Sequence, residues 1–277
     1  MSREEQKQQL ATRDPRAVLS KSFMTGADMC GERAWRDLNF PRPFVMTEQV
    51  LFGKAVDAGV AILIDTNNKH AKADLALAKH EAEVEMMEFD EDIWPDYEEV
   101  DAALEAFIPV IDKLDLDNAV TQPHIRVSIP GIPMPVDAHP DLIAFDDRII
   151  DIKTSKRSKE ANAARNSYTE LGFYAIAHEQ VTGRRVPSVG YLTWVRSKSP
   201  YWQYVEAEVT DEMRARALAR ARGFAWAIRT DADVNREAAV PANVSFVNGP
   251  RFAGLCGGCA HNPSKGGGCG IYEEENQ

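Results

Sequence analysis

The chain has only four cysteines in 277 residues and no apolar run long enough to span a bilayer. Its opening residues, Met1-Ser-Arg-Glu-Glu-Gln-Lys-Gln-Gln, lack the apolar stretch of a signal peptide. These absences exclude a long apolar membrane-spanning helix and lead to the expectation of a soluble, cytoplasmic protein. In that reducing setting a disulfide framework is not expected. An excess of positive charge is also missing. Lys and Arg number 32 against 43 Asp and Glu, a formal net charge of −11, so a globally basic nucleic-acid-binding surface is excluded. There is no internal repeat. What is present is an ordinary globular composition, 44% hydrophobic, in a chain short enough to form one large domain.

The acidity is confined to one block. From Glu81 to Asp117 there are fifteen Asp or Glu and one Lys, a local net of −14, so the remainder sums to +3. Two readings stay open. The block is a solvated helical face, or it is a surface that repels or mimics DNA or recruits a basic partner.

Hydrophobic spacing predicts helices over Ser20–Trp35, Glu48–Asp65, Lys72–Phe89 and Tyr97–Leu116, the last two separated by Trp94-Pro95. A β region follows over Ala119–Ile129, Val136–Phe145 and Arg148–Lys153, punctuated by Pro130-Gly131 and Pro133. Ala161–Thr182 reads as a helix stopped by Gly183. Val186–Val195 and Trp202–Val209 read as strands joined by a turn around Ser197–Pro200, and Asp211–Arg229 as a basic amphipathic helix. Beyond Pro241 the composition is loop-like. This order implies an α/β domain with a central sheet and a helical insertion at about 66–118.

The stretch Asp141-Leu-Ile-Ala-Phe-Asp-Asp-Arg-Ile-Ile-Asp151-Ile-Lys153 reads as a β-hairpin. Side chains alternate along a strand, so Asp151 and Lys153 share one face, with Ile150 and Ile152 on the other. Pairing across the hairpin brings Asp141 alongside Asp151. Such charges can simply protect an edge strand. However, Ile149–Ile152 is apolar on both faces, as an inner strand is, and charge there requires a reason. Two carboxylates beside one ammonium suit a divalent metal and a polarised water. The cations that follow, Lys156, Arg157, Lys159 and Arg165, are either phosphate contacts or a solvated loop.

Cys256-Gly-Gly-Cys259 is a tight knuckle in a glycine-rich segment, followed by Cys269, with Cys30 far upstream. Paired thiolates at a glycine turn can grip one metal centre. Four soft ligands suit Zn²⁺ or an iron–sulfur cluster, and His261 is a possible fourth ligand to zinc. A redox Cys-x-x-Cys would open a helix in a thioredoxin-like context, and that context is missing.

Together, the hairpin, the helix after it and the cysteines resemble the PD-(D/E)xK nuclease superfamily. Within it the chain is most similar to the RecB-like exonuclease branch that carries an iron–sulfur cluster, such as the AddB nuclease domain, CRISPR-associated adaptation nucleases and phage exonucleases. The family's Gly-x-x-x-His motif falls on Gly53-Lys-Ala-Val-Asp57, with Asp in place of His. Its metal-binding Asp falls on Asp141 and its Asp-x-Lys on Asp151-Ile152-Lys153. Its Gln-x-x-x-Tyr falls on Glu170-Leu-Gly-Phe-Tyr174, with Glu in place of Gln. The gap from Cys259 to Cys269 is longer than usual for the family, and the segment 66–118 more acidic.

The resemblance implies a restriction-endonuclease-like core: a central mixed sheet flanked by helices, with a helical insertion. A single nuclease domain over 1–277 would divide into N-terminal helices at 20–65, the acidic insertion at 66–118, the nuclease core at 119–232 and a cysteine loop at 241–277. Cys30, Cys256, Cys259 and Cys269 would hold a [4Fe–4S] cluster that staples the N- and C-terminal regions. Asp57, Asp141, Asp151 and the Ile152 carbonyl would hold Mg²⁺ or Mn²⁺. Asp141, Asp151, Lys153, Glu170 and Tyr174 would carry catalysis, and Lys156, Arg157, Lys159 and Arg165 would contact DNA. The implied activity is that of a metal-dependent exonuclease on single-stranded DNA from 5′ ends, in recombination, repair or phage replication. Oligomers are open, since relatives form rings. Two alternatives belong to other classes. One is a DNA-binding protein on a nuclease fold with weak or no activity. The other is a zinc-stabilised interaction protein whose acidic segment, 81–117, binds a partner.

Overall fold

The computed structural model describes residues 18–29 and 46–229. In chain order the described elements are β1 (Leu19–Ser20), α1 (Lys21–Met29), α2 (Glu48–His70), α3 (Leu75–Met87), a 3₁₀ turn (Glu91–Ile93), α4 (Tyr97–Lys113), β2 (Val120–Thr121), β3 (Ile125–Val127), β4 (Val136–Ala138), β5 (Leu142–Ile143), β6 (Ile149–Ser155), α5 (Leu171–Thr182), β7 (Ser188–Val195), β8 (Tyr201–Glu208) and α6 (Asp211–Arg229). This is a mixed α/β architecture with two sheets. Of the described residues, one compact unit holds 18–29, 126–138 and 215–229, and the other holds 46–125 and 139–214.

The larger unit is built on a five-stranded mixed sheet in the order β2-β5-β6-β7-β8. β5 and β6 form the expected antiparallel hairpin, with Leu142 opposite Ile150. β6 and β7 run parallel, Asp151 beside Tyr191 and Lys153 beside Thr193, with α5 as the crossover that a parallel pair requires. β6 therefore has a neighbour on each side, and Ile149, Ile150, Asp151 and Ile152 are all buried.

α2 and α4 cover one face of this sheet, with α3 packed against them. Leu51, Val56, Val60 and Leu63 of α2 pack with Ala82 and Met86 of α3, Leu104 and Phe107 of α4, and Ile150, Ile152, Leu192 and Trp194 of the sheet. Burial of each large apolar side chain here stabilises the fold by about 1.5–3 kcal/mol. Gly59 lets the helices close up: a Cβ there would lie 2.6 Å from a Leu104 methyl. Thr47, Asp74 and Asp96 cap the three helices, accepting from the backbone N–H of Val50, Leu77 and Glu98. Arg196, just past β7, ties the layers together. Its guanidinium donates twice to Glu99, at 2.6 Å each, and lies 4.1 Å from the centre of the Phe52 ring. The acidic block thus has two sides. Glu83, Glu98, Glu105 and Asp112 are exposed, while the intervening apolar residues fill the core.

Three expected elements differ from the structure, the first being the strand over Ala119–Ile129, which is two short strands, β2 and β3, that belong to different sheets and flank Pro123. The helix over Ala161–Thr182 begins only at Leu171. Residues 161–170 form turns, and the Ser167 side chain there offers the backbone a local alternative to a helix. Ser167 Oγ accepts from Leu171 N at 3.2 Å and so marks the true start. The strand over Val136–Phe145 is two strands, β4 and β5, interrupted at Pro140, which has no N–H for a ladder.

The smaller unit has a three-stranded sheet, order β1-β4-β3, with β1 and β4 parallel. Phe23 and Phe224 meet edge to face at 6.3 Å. Arg222 donates to the Pro130 carbonyl at 3.0 Å, over Gly131, whose φ of +83° suits glycine. No described helix is long and apolar enough to cross a membrane. Cys30, Cys256, Cys259, Cys269 and His261 lie outside the described residues, and with them the expected cluster.

Candidate active site

The hairpin register places Asp141 across from Asp151, and the Asp141 Oδ2 accepts from the Ile152 N–H at 2.6 Å. One carboxylate is thereby fixed to the backbone of the strand that carries the other. Asp151 is 1% exposed. Lys153, two residues on, turns to the same face and lays its ammonium against the Asp151 carboxylate. The Glu170 Oε1, at the start of α5, stands 3.4 Å from the same ammonium. Burial pulls the Lys153 amine down, but the charges of Asp151, Glu170 and Asp141 outweigh it and hold the amine above its ordinary range. Lys153 is a fixed cation.

Tyr174 follows Glu170 by one turn, its N–H donating to the Glu170 carbonyl at 3.0 Å. It is 2% exposed. Burial, and then the negative charges of Asp151, Asp141 and Glu170, push its phenol well above the usual tyrosine range. It stays a neutral hydroxyl.

The second oxygen of Glu170 is held by a residue that no motif marks. Tyr191 donates its hydroxyl to Glu170 Oε2 at 2.5 Å, and Ser167 Oγ lies 2.7 Å from the same hydroxyl. Burial and the Glu170 charge hold the Tyr191 phenol far above its normal value. The Lys159 ammonium sits 4.6 Å from the centre of the Tyr191 ring. Lys159 is pinned in turn by Gln203 of β8, which accepts from its N–H at 2.7 Å and donates to its carbonyl at 3.1 Å. The one trace of Tyr191 in the sequence is a polar-tipped ring in an otherwise buried strand.

The remaining expected site residues are placed less tightly. Gly53 of α2 lies where a Cβ would be 3.3 Å from Thr154 Oγ1, so α2 passes close to the end of β6. Asp57 is one turn further along the same side of α2 and half-buried. Lys156, Arg157 and Arg165 are exposed on the segment between β6 and α5. Elsewhere in this unit His124 and His139 stack with ring centres 4.3 Å apart, a pairing that no spacing in the sequence suggests.

The expected donors Asp141, Asp151, the Ile152 carbonyl and Asp57 form an entirely oxygen set, of which the structure brings Asp141 and Asp151 together on the hairpin, while Asp57 lies on α2, the helix packed against Ile150 and Ile152. Such a set fits a hard divalent cation such as Mg²⁺ or Mn²⁺ and does not suit a soft one. The Lys153 ammonium and the Tyr174 phenol stand close to these carboxylates.

The chain matches no family model and no curated protein. Among solved structures it is similar in fold to a protein from Eubacterium rectale described as a "putative exonuclease". The two superpose with a TM-score of 0.52 at 13% identity, over 80% of this chain and 82% of the other. The structure of SSO0001 aligns over 95% of this chain and 93% of its own, at 12% identity and a TM-score of 0.41. At these identities the first likeness is one of fold alone: this chain shares the α/β fold of that protein.

Proposed function

We propose that this protein is a metal-dependent deoxyribonuclease of the exonuclease type, acting on single-stranded DNA from 5′ ends in recombination, repair or phage replication. The observation that carries the reading is the convergence of Asp141, Asp151, Lys153 and Glu170 on one end of the β5–β6 hairpin. The substrate and the polarity come from the resemblance to the RecB-like branch alone, and the fold shared with a "putative exonuclease" agrees with the class.

Asp141, Asp151 and the Ile152 carbonyl, with Asp57, would hold Mg²⁺ or Mn²⁺. When bound, the ion supplies Lewis acidity toward the phosphodiester and lowers the pKa of water. Lys153, kept protonated by its carboxylate neighbours, positions the attacking water and offsets charge that builds on the phosphate. Glu170 orients Lys153. Tyr174, held neutral, offers a hydroxyl donor to the strand being cut. Lys156, Arg157, Lys159 and Arg165 contact the phosphates on either side, fixing register without reading sequence.

End-labelled single- and double-stranded DNA incubated with Mg²⁺, Mn²⁺ or EDTA tests this directly. We expect cleavage with either metal, none with EDTA, none with Asp141→Ala, and early release of the 5′ label from the single strand. Intact DNA with both metals would sink the enzyme reading in favour of a binding protein.

The same proposal extends to a [4Fe–4S] cluster held by Cys30, Cys256, Cys259 and Cys269, a set of four soft donors suited to it. Protein purified without oxygen is expected to be brown, with broad visible absorption that Cys256→Ser removes. A colourless protein carrying one equivalent of zinc would overturn the cluster and leave the nuclease untouched.

A further inference from the structure

Metal binding and the Lys153 ion pair make opposing demands on one carboxylate. Asp151, 1% exposed, already holds the Lys153 ammonium. A divalent cation arriving at Asp151 competes with that ammonium. Lys153, whose side chain is 30% exposed, then needs another anion or is left a poorly compensated charge in a largely desolvated place. Glu170 Oε1 at 3.4 Å is positioned to be that anion.

A glutamate has three rotatable side-chain bonds, and a mobile one would be a weak anchor. Glu170 is not mobile at its other oxygen. The single hydroxyl proton of Tyr191 is committed to Glu170 Oε2 at 2.5 Å. Ser167 must therefore donate to Tyr191 across 2.7 Å, while its Oγ accepts from Leu171 N at 3.2 Å. Tyr191 is itself fixed by strand pairing, directly beside Asp151 on β7. Strand, phenol and carboxylate form one rigid series.

We infer that Tyr191, backed by Ser167, is a positioning residue: it clamps Glu170 so that Lys153 has a second anionic partner when Asp151 binds a divalent cation. The inference rests on the metal-dependent reading of this site and adds a role to residues outside its motifs. Its consequence is that the clamp governs metal affinity only through Lys153.

Calorimetric titration of the full chain with Mn²⁺ alone, without DNA, tests it. Tyr191→Phe and Glu170→Gln are each expected to weaken Mn²⁺ binding roughly tenfold, the scale on which outer partners of metal ligands act. Lys153→Met, which removes the competitor, is expected to tighten it. In the Lys153→Met background the two other substitutions should then leave Mn²⁺ affinity unchanged. Wild-type affinity in Tyr191→Phe would overturn the clamp while the metal site stands. So would an equal loss with and without Lys153, since that marks a role in folding alone. A wild-type protein that binds no Mn²⁺ would remove the metal site itself, and the clamp with it.

Discussion

Asp151→Asn is expected to lower DNA cleavage by roughly 10³-fold, because losing several kcal/mol of metal-derived stabilisation costs about that factor in rate. The substitution keeps the size and shape of a side chain that is 1% exposed on a strand paired on both sides, so no cavity opens. It removes the charge that a divalent cation needs. It also leaves the Lys153 ammonium with Glu170 at 3.4 Å, so the lysine is not stranded. The loss should therefore appear in the single-turnover rate on labelled DNA and in Mn²⁺ titration, with the far-ultraviolet circular dichroism and thermal transition close to wild type. A variant that cleaves within tenfold of wild type would place the metal elsewhere.

The parts of this site that are legible in the sequence are the ones fixed by short-range geometry. Alternation along a strand and the register of a tight hairpin are local, so the sequence alone is enough to bring Asp141, Asp151 and Lys153 together. The start of the last described helix at Asp211 is legible for the same reason, coinciding with a local pattern. Other features depend on distant chain. The last turn of α2 carries Asn67, Asn68, Lys69 and His70 and shows no apolar period. It persists because Asn67 and Asn68 find Asp117, Asn118 and the Ala119 carbonyl about fifty residues away in the chain.

The role of Tyr191 is not legible in the sequence because it requires the parallel pairing of β6 with β7 across α5. The acidic block has the look of an insertion because its composition is dominated by exposed charge. Its inner face nevertheless belongs to the core, where the Ala103 carbonyl accepts from the Trp202 indole at 2.9 Å. The segment before α5 misleads in the opposite sense. Its helical look is local, and so is the Ser167 side-chain bond that marks where the helix starts.

Lys153→Ala separates chemistry from metal binding. The ammonium is expected to supply charge stabilisation at the phosphate and to orient water, and groups of that kind contribute roughly 10²–10³ in rate. Cleavage should fall by that factor. Mn²⁺ affinity should not fall, since the alanine no longer competes for Asp151, which is the opposite of what Asp151→Asn does to the same titration. Lys153→Arg should not restore activity. A planar guanidinium spreads its charge over a fork and cannot occupy the compact position between Asp151 and Glu170 that a point-like ammonium fills. The measurement is a paired one, the single-turnover cleavage rate and Mn²⁺ dissociation constant of each variant. Full cleavage by Lys153→Ala would remove this lysine from the mechanism, whereas loss of cleavage together with loss of Mn²⁺ binding would reduce it to a structural counter-ion.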